Sequence, residues 1–62
     1  MYVEILLKQV RQRKNVTLNR LSEKSGISTT HINDIENNIK GPSLVVMIQL
    51  AKALDVDITE LY

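Results

Sequence analysis

The residues best equipped for chemistry sit together in one short polar run, Ser28, Thr29, Thr30, His31, Asn33 and Asp34. All of them carry groups that give or accept hydrogen bonds. The chain has one histidine, His31, and no cysteine. That excludes a thiol nucleophile, a disulfide and a thiolate metal site, and it leaves too few ligands for structural zinc. No glycine-rich phosphate loop and no paired nucleophile and base are present, so the sequence does not read as an enzyme. The chemistry available is recognition through hydrogen bonds, and the elements around the run must hold it outward.

The punctuation divides the 62 residues into five helical pieces with short connections. The first runs from about Tyr2 to Lys14, with Val3, Leu6, Leu7 and Val10 on one stripe, and ends at Asn15. Thr17 is the expected N-cap of the second, whose Leu18, Leu21 and Ser22 point inward. Ser25-Gly26-Ile27 is a turn in which Gly26 takes a positive φ at no steric cost. Ser28 caps a third helix with Ile32 and Ile35 as its apolar positions, and Ile27 packs back as a staple residue. Residues 37–42 form a loop. Ser43 caps a fourth helix on which Leu44, Met47, Ile48, Ala51 and Leu54 recur at helical spacing, and Asp57 with Glu60 forms a capping-box variant that starts a last short helix ending at Leu61 and Tyr62. No stretch alternates with period two, so the fold class expected is all-α, a compact five-helix bundle. A chain of this size forms one domain, residues 1–62, with a small core.

Two short helices joined by a tight glycine turn cross at a large angle, which lets the second stand out from the body. A helix with its side chains is about 10 to 12 Å across and the DNA major groove is about 12 Å wide. The charge distribution adds to this. The net charge is only +1, but residues 1–24 hold six basic and two acidic residues, whereas residues 25–62 hold two basic and five acidic. The chain is electrically polarised along its length.

The sequence resembles the phage lambda-type repressors and Cro proteins, the XRE family of bacterial and phage transcriptional regulators, over nearly its whole length. The resemblance is carried by Leu7-Lys8-Gln9-Val10-Arg11, Thr17 with Leu21-Ser22, Gly26-Ile27-Ser28, Ile32 with Ile35-Glu36, Pro42-Ser43-Leu44, Leu50-Ala51-Lys52-Ala53-Leu54, Val56 and Leu61. It implies a lambda repressor-like domain with the helix-turn-helix at helices two and three, sequence-specific binding to double-stranded DNA, and repression of transcription. Base contacts are implied at Ser28, Thr29, Thr30, Asn33 and Asp34. Among them Asn33 is suited to a bidentate pair with adenine and the threonines to thymine, and Asp34 to cytosine at the cost of an acid facing phosphates. Phosphate contacts are implied at Thr17, Asn37, Lys40 and Gly41, with Arg11 and Arg13 as further candidates. Asn37 has the alternative of being a helix-end cap. Arg11 has the alternative of pairing with Glu36 across helices one and three. Arg20 and Lys24 read as ordinary surface charges.

The chain departs from its family at Leu18, where a phosphate-touching glutamine is common. Leu18 either joins the core or lies against sugar atoms. Asn15, Asn38 and Asp55 replace glycines at the ends of helices one, three and four, and positive φ is expected at each, since Asn and Asp tolerate the left-handed region best. A homodimer is expected, formed through Val45, Val46, Ile58, Leu61 and Tyr62 unless these are buried under the C-terminus. No cofactor, metal, membrane or small-molecule ligand is expected. With no apolar run long enough to span a bilayer and no basic segment before the apolar opening, the expected location is the cytoplasm of a bacterium or a phage-infected cell. The alternative function is a protein-interaction module of the same fold, such as an antitoxin or regulatory partner.

Overall fold

A computed structural model describes residues 5–39 and 41–62. Among them are four α-helices, one closing 3₁₀ turn and no strand: α1 (Leu7–Arg13), α2 (Leu18–Ser25), α3 (Thr29–Glu36), α4 (Leu44–Leu54) and the 3₁₀ turn Ile58–Leu61. The fifth helix of the expected bundle is thus a single tight turn. Tyr2 and Val3 lie outside the described residues. Ile5 and Leu6 are described and are not helical. Leu6 caps α1, its carbonyl accepting from the Val10 N–H at 3.0 Å, while its own N–H donates to the Leu61 carbonyl at 2.8 Å and pins the chain before α1 to the 3₁₀ turn.

Local side-chain bonds start three of the α-helices. The Oγ1 of Thr17 accepts from the Arg20 N–H at 3.1 Å, the Oγ of Ser28 from His31 N–H at 3.1 Å, and the Oγ of Ser43 from Val46 N–H at 3.2 Å. Each cap satisfies an amide that the first helical turn leaves without a partner. Asp57 starts the 3₁₀ turn with a full capping box: its carboxylate accepts from Thr59 N–H at 2.9 Å, and Glu60 Oε2 accepts from Asp57 N–H at 3.1 Å.

Left-handed residues stop the helices. Gly26 closes α2 at φ 76°, and its N–H reaches the Ser22 carbonyl at 2.9 Å. Asn15, Asn38 and Asp55 have φ of 57°, 60° and 56°. At all three positions a side chain takes the backbone conformation that glycine holds more cheaply.

The core is Leu7, Val10, Leu21, Ile27, Ile32, Ile35, Met47, Leu50, Ala51, Leu54 and Leu61. α2 packs on both α3 and α4, and the 3₁₀ turn packs on α4 and α1. Leu18 is half-buried against this core, which decides between its two readings. On α4 the buried stripe is Met47, Leu50, Ala51 and Leu54, whereas Leu44 and Ile48, expected to face inward, are exposed. Leu44 lies in the first turn, beyond the reach of the core. Ile48 lies about 100° around the axis from Met47.

Candidate nucleic-acid interface

The polar run folds as α3 and the residue that caps it. Ile32 and Ile35 are buried and anchor the helix, while Ser28, Thr30 and Asn33 are exposed and Thr29 and Asp34 are half-buried. Spacing of three and four residues puts Thr29 and Thr30, then Asn33, then Asn37 along one outward stripe. The Ser28 oxygen is occupied as the cap of α3. Its hydroxyl proton stays available as a donor.

A buried ion pair holds α3 in place. The Nε of Arg11 donates to Glu36 Oε2 at 2.7 Å and its Nη2 to Glu36 Oε1 at 3.2 Å, while Nη1 donates to the Val16 carbonyl at 2.9 Å. The side chains are 11% and 2% exposed. The guanidinium fork matches a carboxylate in this two-bond geometry and a backbone carbonyl takes the remaining arm. Three segments are tied together: α1, the connection to α2, and the C-terminal end of α3. With its head turned inward on these partners, Arg11 leaves the set of phosphate contacts.

The other expected phosphate contacts are spread around the rim. Thr17 is exposed and occupied as the N-cap of α2. Arg13 is exposed and pairs at 3.5 Å with Glu60 on the 3₁₀ turn. Such a long surface pair contributes little and is easily exchanged. Gly41 is exposed in the loop before α4, and Lys40 lies outside the described residues. Asn37 is exposed at the end of α3, and its amide Nδ2 donates to the Asn33 carbonyl at 2.9 Å and to Asn33 Oδ1 at 3.1 Å. It is therefore a cap, and it also touches a residue expected to read bases. That second contact was not foreseen from the sequence, although two amides four residues apart on a helix is a recognisable signal. Also unforeseen is the Lys14 Nζ donating to the Asp55 carbonyl at 3.3 Å, which ties the end of α1 to the end of α4.

The expected dimer surface divides. Val45 and Tyr62 are exposed, Val46 and Ile58 are half-buried against the core, and Leu61 is fully buried. Leu61 is a core residue and drops out of any contact surface, because the 3₁₀ turn presses its side chain against α1 and α4. Ile39, Leu44 and Ile48 are exposed apolar residues that the sequence did not single out for that role.

No helix among the described residues is long and apolar enough to cross a membrane. Among them there is also no group of three or more His, Cys, Asp or Glu placed to hold a metal ion.

Comparison with known proteins agrees with this geometry. A helix-turn-helix family model matches residues 7–61. The chain is 34% identical over 56 residues to the uncharacterized HTH-type transcriptional regulator Rv0474 of Mycobacterium tuberculosis, covering 90% of this chain and 40% of that protein. It therefore spans less than half the length of that curated relative. Among solved structures, the restriction-modification controller protein C.AhdI from Aeromonas hydrophila superposes with a TM-score of 0.86 at 30% identity, covering 90% of this chain and 85% of that one. The biofilm master regulator SinR, in a crystal structure with DNA, superposes with a TM-score of 0.81 at 32% identity, covering 89% of both chains. With α2, its glycine turn and α3 forming the motif itself, this chain belongs to the helix-turn-helix family of XRE-type, lambda repressor-like transcriptional regulators.

Proposed function

We propose that this chain is the DNA-binding domain of a transcriptional repressor that reads the major groove with α3. The observation that carries the reading is the exposed polar stripe of Thr30, Asn33 and Asn37 on a helix anchored from behind by two fully buried isoleucines and by Arg11–Glu36. A likeness to SinR, whose structure was solved with DNA, supports it. In this reading Ser28, Thr29, Thr30 and Asn33 meet base edges, with Asp34 at the margin. Thr17, Gly41, Lys40 and Arg13 meet the phosphates, and the free amides of the first turn of α2 face the backbone. The protein acts in the cytoplasm, as a homodimer on a two-fold site.

The test is the salt dependence of binding. Each phosphate neutralised by the protein adds about −0.9 to the slope of log affinity against log salt concentration. Fluorescence anisotropy on a site selected from random DNA should give a slope of several units. Binding that stays undetectable even at low salt would overturn the reading. It would favour a protein-interaction module, for which the exposed Leu44, Val45 and Ile48 of α4 would be the contact surface.

A further inference from the structure

Resting on the DNA-reading assignment of α3, we propose that Asn37 is a positioning residue that fixes the orientation of the Asn33 carboxamide and so sets which base Asn33 accepts. The chemistry of the two contacts leaves little freedom. A backbone carbonyl only accepts, so the Asn37 atom at 2.9 Å from the Asn33 carbonyl is the amide nitrogen. The same nitrogen lies 3.1 Å from the Asn33 side chain, so the atom it faces there is the oxygen, Oδ1. One NH₂ group with two protons thus serves two acceptors of a single residue. The Asn33 oxygen is turned toward the C-terminal end of α3, and its own NH₂ occupies the other arm of the planar amide at an exposed position.

This orientation bears directly on recognition. A bidentate pair with adenine needs one N–H to reach N7 and one oxygen lone pair to receive the N6 amino group, side by side and in a fixed order. An unrestrained asparagine presents both orders, because half a turn about its last torsion exchanges them. Asn37 removes one of the two and takes only one of the two lone pairs of Oδ1, leaving the second for a base. The ordering of a polar side chain is also done before DNA arrives, which spares a binding cost equivalent to about two- to tenfold in affinity. The bare alternative, a phosphate contact through its amide, requires Asn37 to give up at least one of its two bonds to Asn33.

The experiment uses the chain on its selected site and on variants of that site with each base pair replaced in turn. Asn33→Ala identifies the base pair that Asn33 reads, where wild type should discriminate by about 5- to 150-fold. At that pair Asn37→Ala should reduce discrimination by about three- to tenfold, with other positions and the salt slope unchanged. In the Asn33→Ala background the same substitution should alter no base preference, as expected of a residue acting through another. Asn37→Asp, which replaces the donor by an acceptor, should draw the Asn33 NH₂ toward it and shift the preferred base at that pair alone. Asn37 sits at the helix end with φ −97°, a conformation open to any residue, and circular dichroism should find all variants folded. Uniform weakening across all sites with a salt slope shallower by about 1 would make Asn37 a phosphate contact and overturn the proposal. An Asn37→Ala profile identical to wild type would overturn it as well, leaving a helix cap. If wild type shows no sequence preference on any DNA, the assignment of α3 itself fails, a result distinct from both.

Discussion

Glu36 is almost completely withdrawn from water, and a lone carboxylate in that position would be costly. What holds it in place is the two-bond contact with Arg11, whose third bond goes to the Val16 carbonyl. Removing one partner leaves the other buried and unpaired, which costs roughly 3 to 5 kcal/mol. A domain of this length has about 3 to 9 kcal/mol of stability in total. Glu36→Ala should therefore remove about a third or more of the stability read by urea titration at room temperature, while the paired replacement Arg11→Met with Glu36→Leu should recover most of the loss. A loss below about 1 kcal/mol for the single substitution would place the pair with ordinary surface contacts. Asn38 poses a subtler question, since its φ of 60° is held by a residue that only tolerates it. Asn38→Gly relieves that strain but gives the unfolded chain more freedom, so the net change should lie between zero and about 1 kcal/mol of added stability. Asn38→Ala should lose about 1 kcal/mol in the same titrations, because alanine tolerates the left-handed region less well than asparagine.

Among the elements, the helix boundaries were legible wherever they depend on a bond made within three or four residues. Thr17, Ser28, Ser43 and Asp57 cap as their side chains suggest, and Asn15, Gly26, Asn38 and Asp55 stop helices as theirs do. Three features were not legible. The start of α1 depends on the Leu6–Leu61 bond between residues 55 apart, which no local pattern announces. The inward face of α4 is ambiguous because Leu44-Val45-Val46-Met47-Ile48 is apolar all round, so periodicity does not choose between Met47 and Ile48. The last element is a 3₁₀ turn because a capping box fits a single tight turn as well as a longer helix. Of the candidate site, the outward stripe was legible from its polarity, and the coupling of Asn37 to Asn33 was not. The cap of the 3₁₀ turn has a consequence for acid stability. The Thr59 backbone N–H, and secondarily its hydroxyl, hold the Asp57 carboxyl below the ordinary aspartate range. A carboxyl with a lowered folded-state pKa stabilises the fold above its unfolded pKa, and the contribution fades as pH falls through the folded value. Asp57→Asn retains a capping oxygen without a titrating group. The stability gap between wild type and this variant should be constant above about pH 5 and close steadily below it, as followed by thermal melts across pH. A gap that stays constant into strong acid would remove Asp57 as its source.

At the scale of the whole molecule, size decides how many copies a site needs. The chain measures 32 × 22 × 20 Å and carries one α3, whereas successive major grooves on one face of DNA are about 34 Å apart. In the proposed reading a single copy meets one half-site, and a two-fold site calls for two copies whose contact lies away from α3. Leu44, Val45 and Tyr62 are exposed apolar residues available for that contact, each between 45% and 65% exposed. They come from residues 25–62, where acids outnumber bases. A palindromic site should then bind the chain much more tightly than an isolated half-site. Inserting about five base pairs between the halves turns them to opposite faces of the duplex, because one helical turn is about 10.5 base pairs. That insertion should return affinity to the half-site level, and insertion of a full turn should leave it closer to half-site than to palindrome affinity because the contact between copies is lost. Val45→Asp should abolish the advantage of the palindrome while leaving half-site affinity intact. Equal affinity for palindrome and half-site, together with a monomer in sedimentation at micromolar concentration, would show that each copy binds alone.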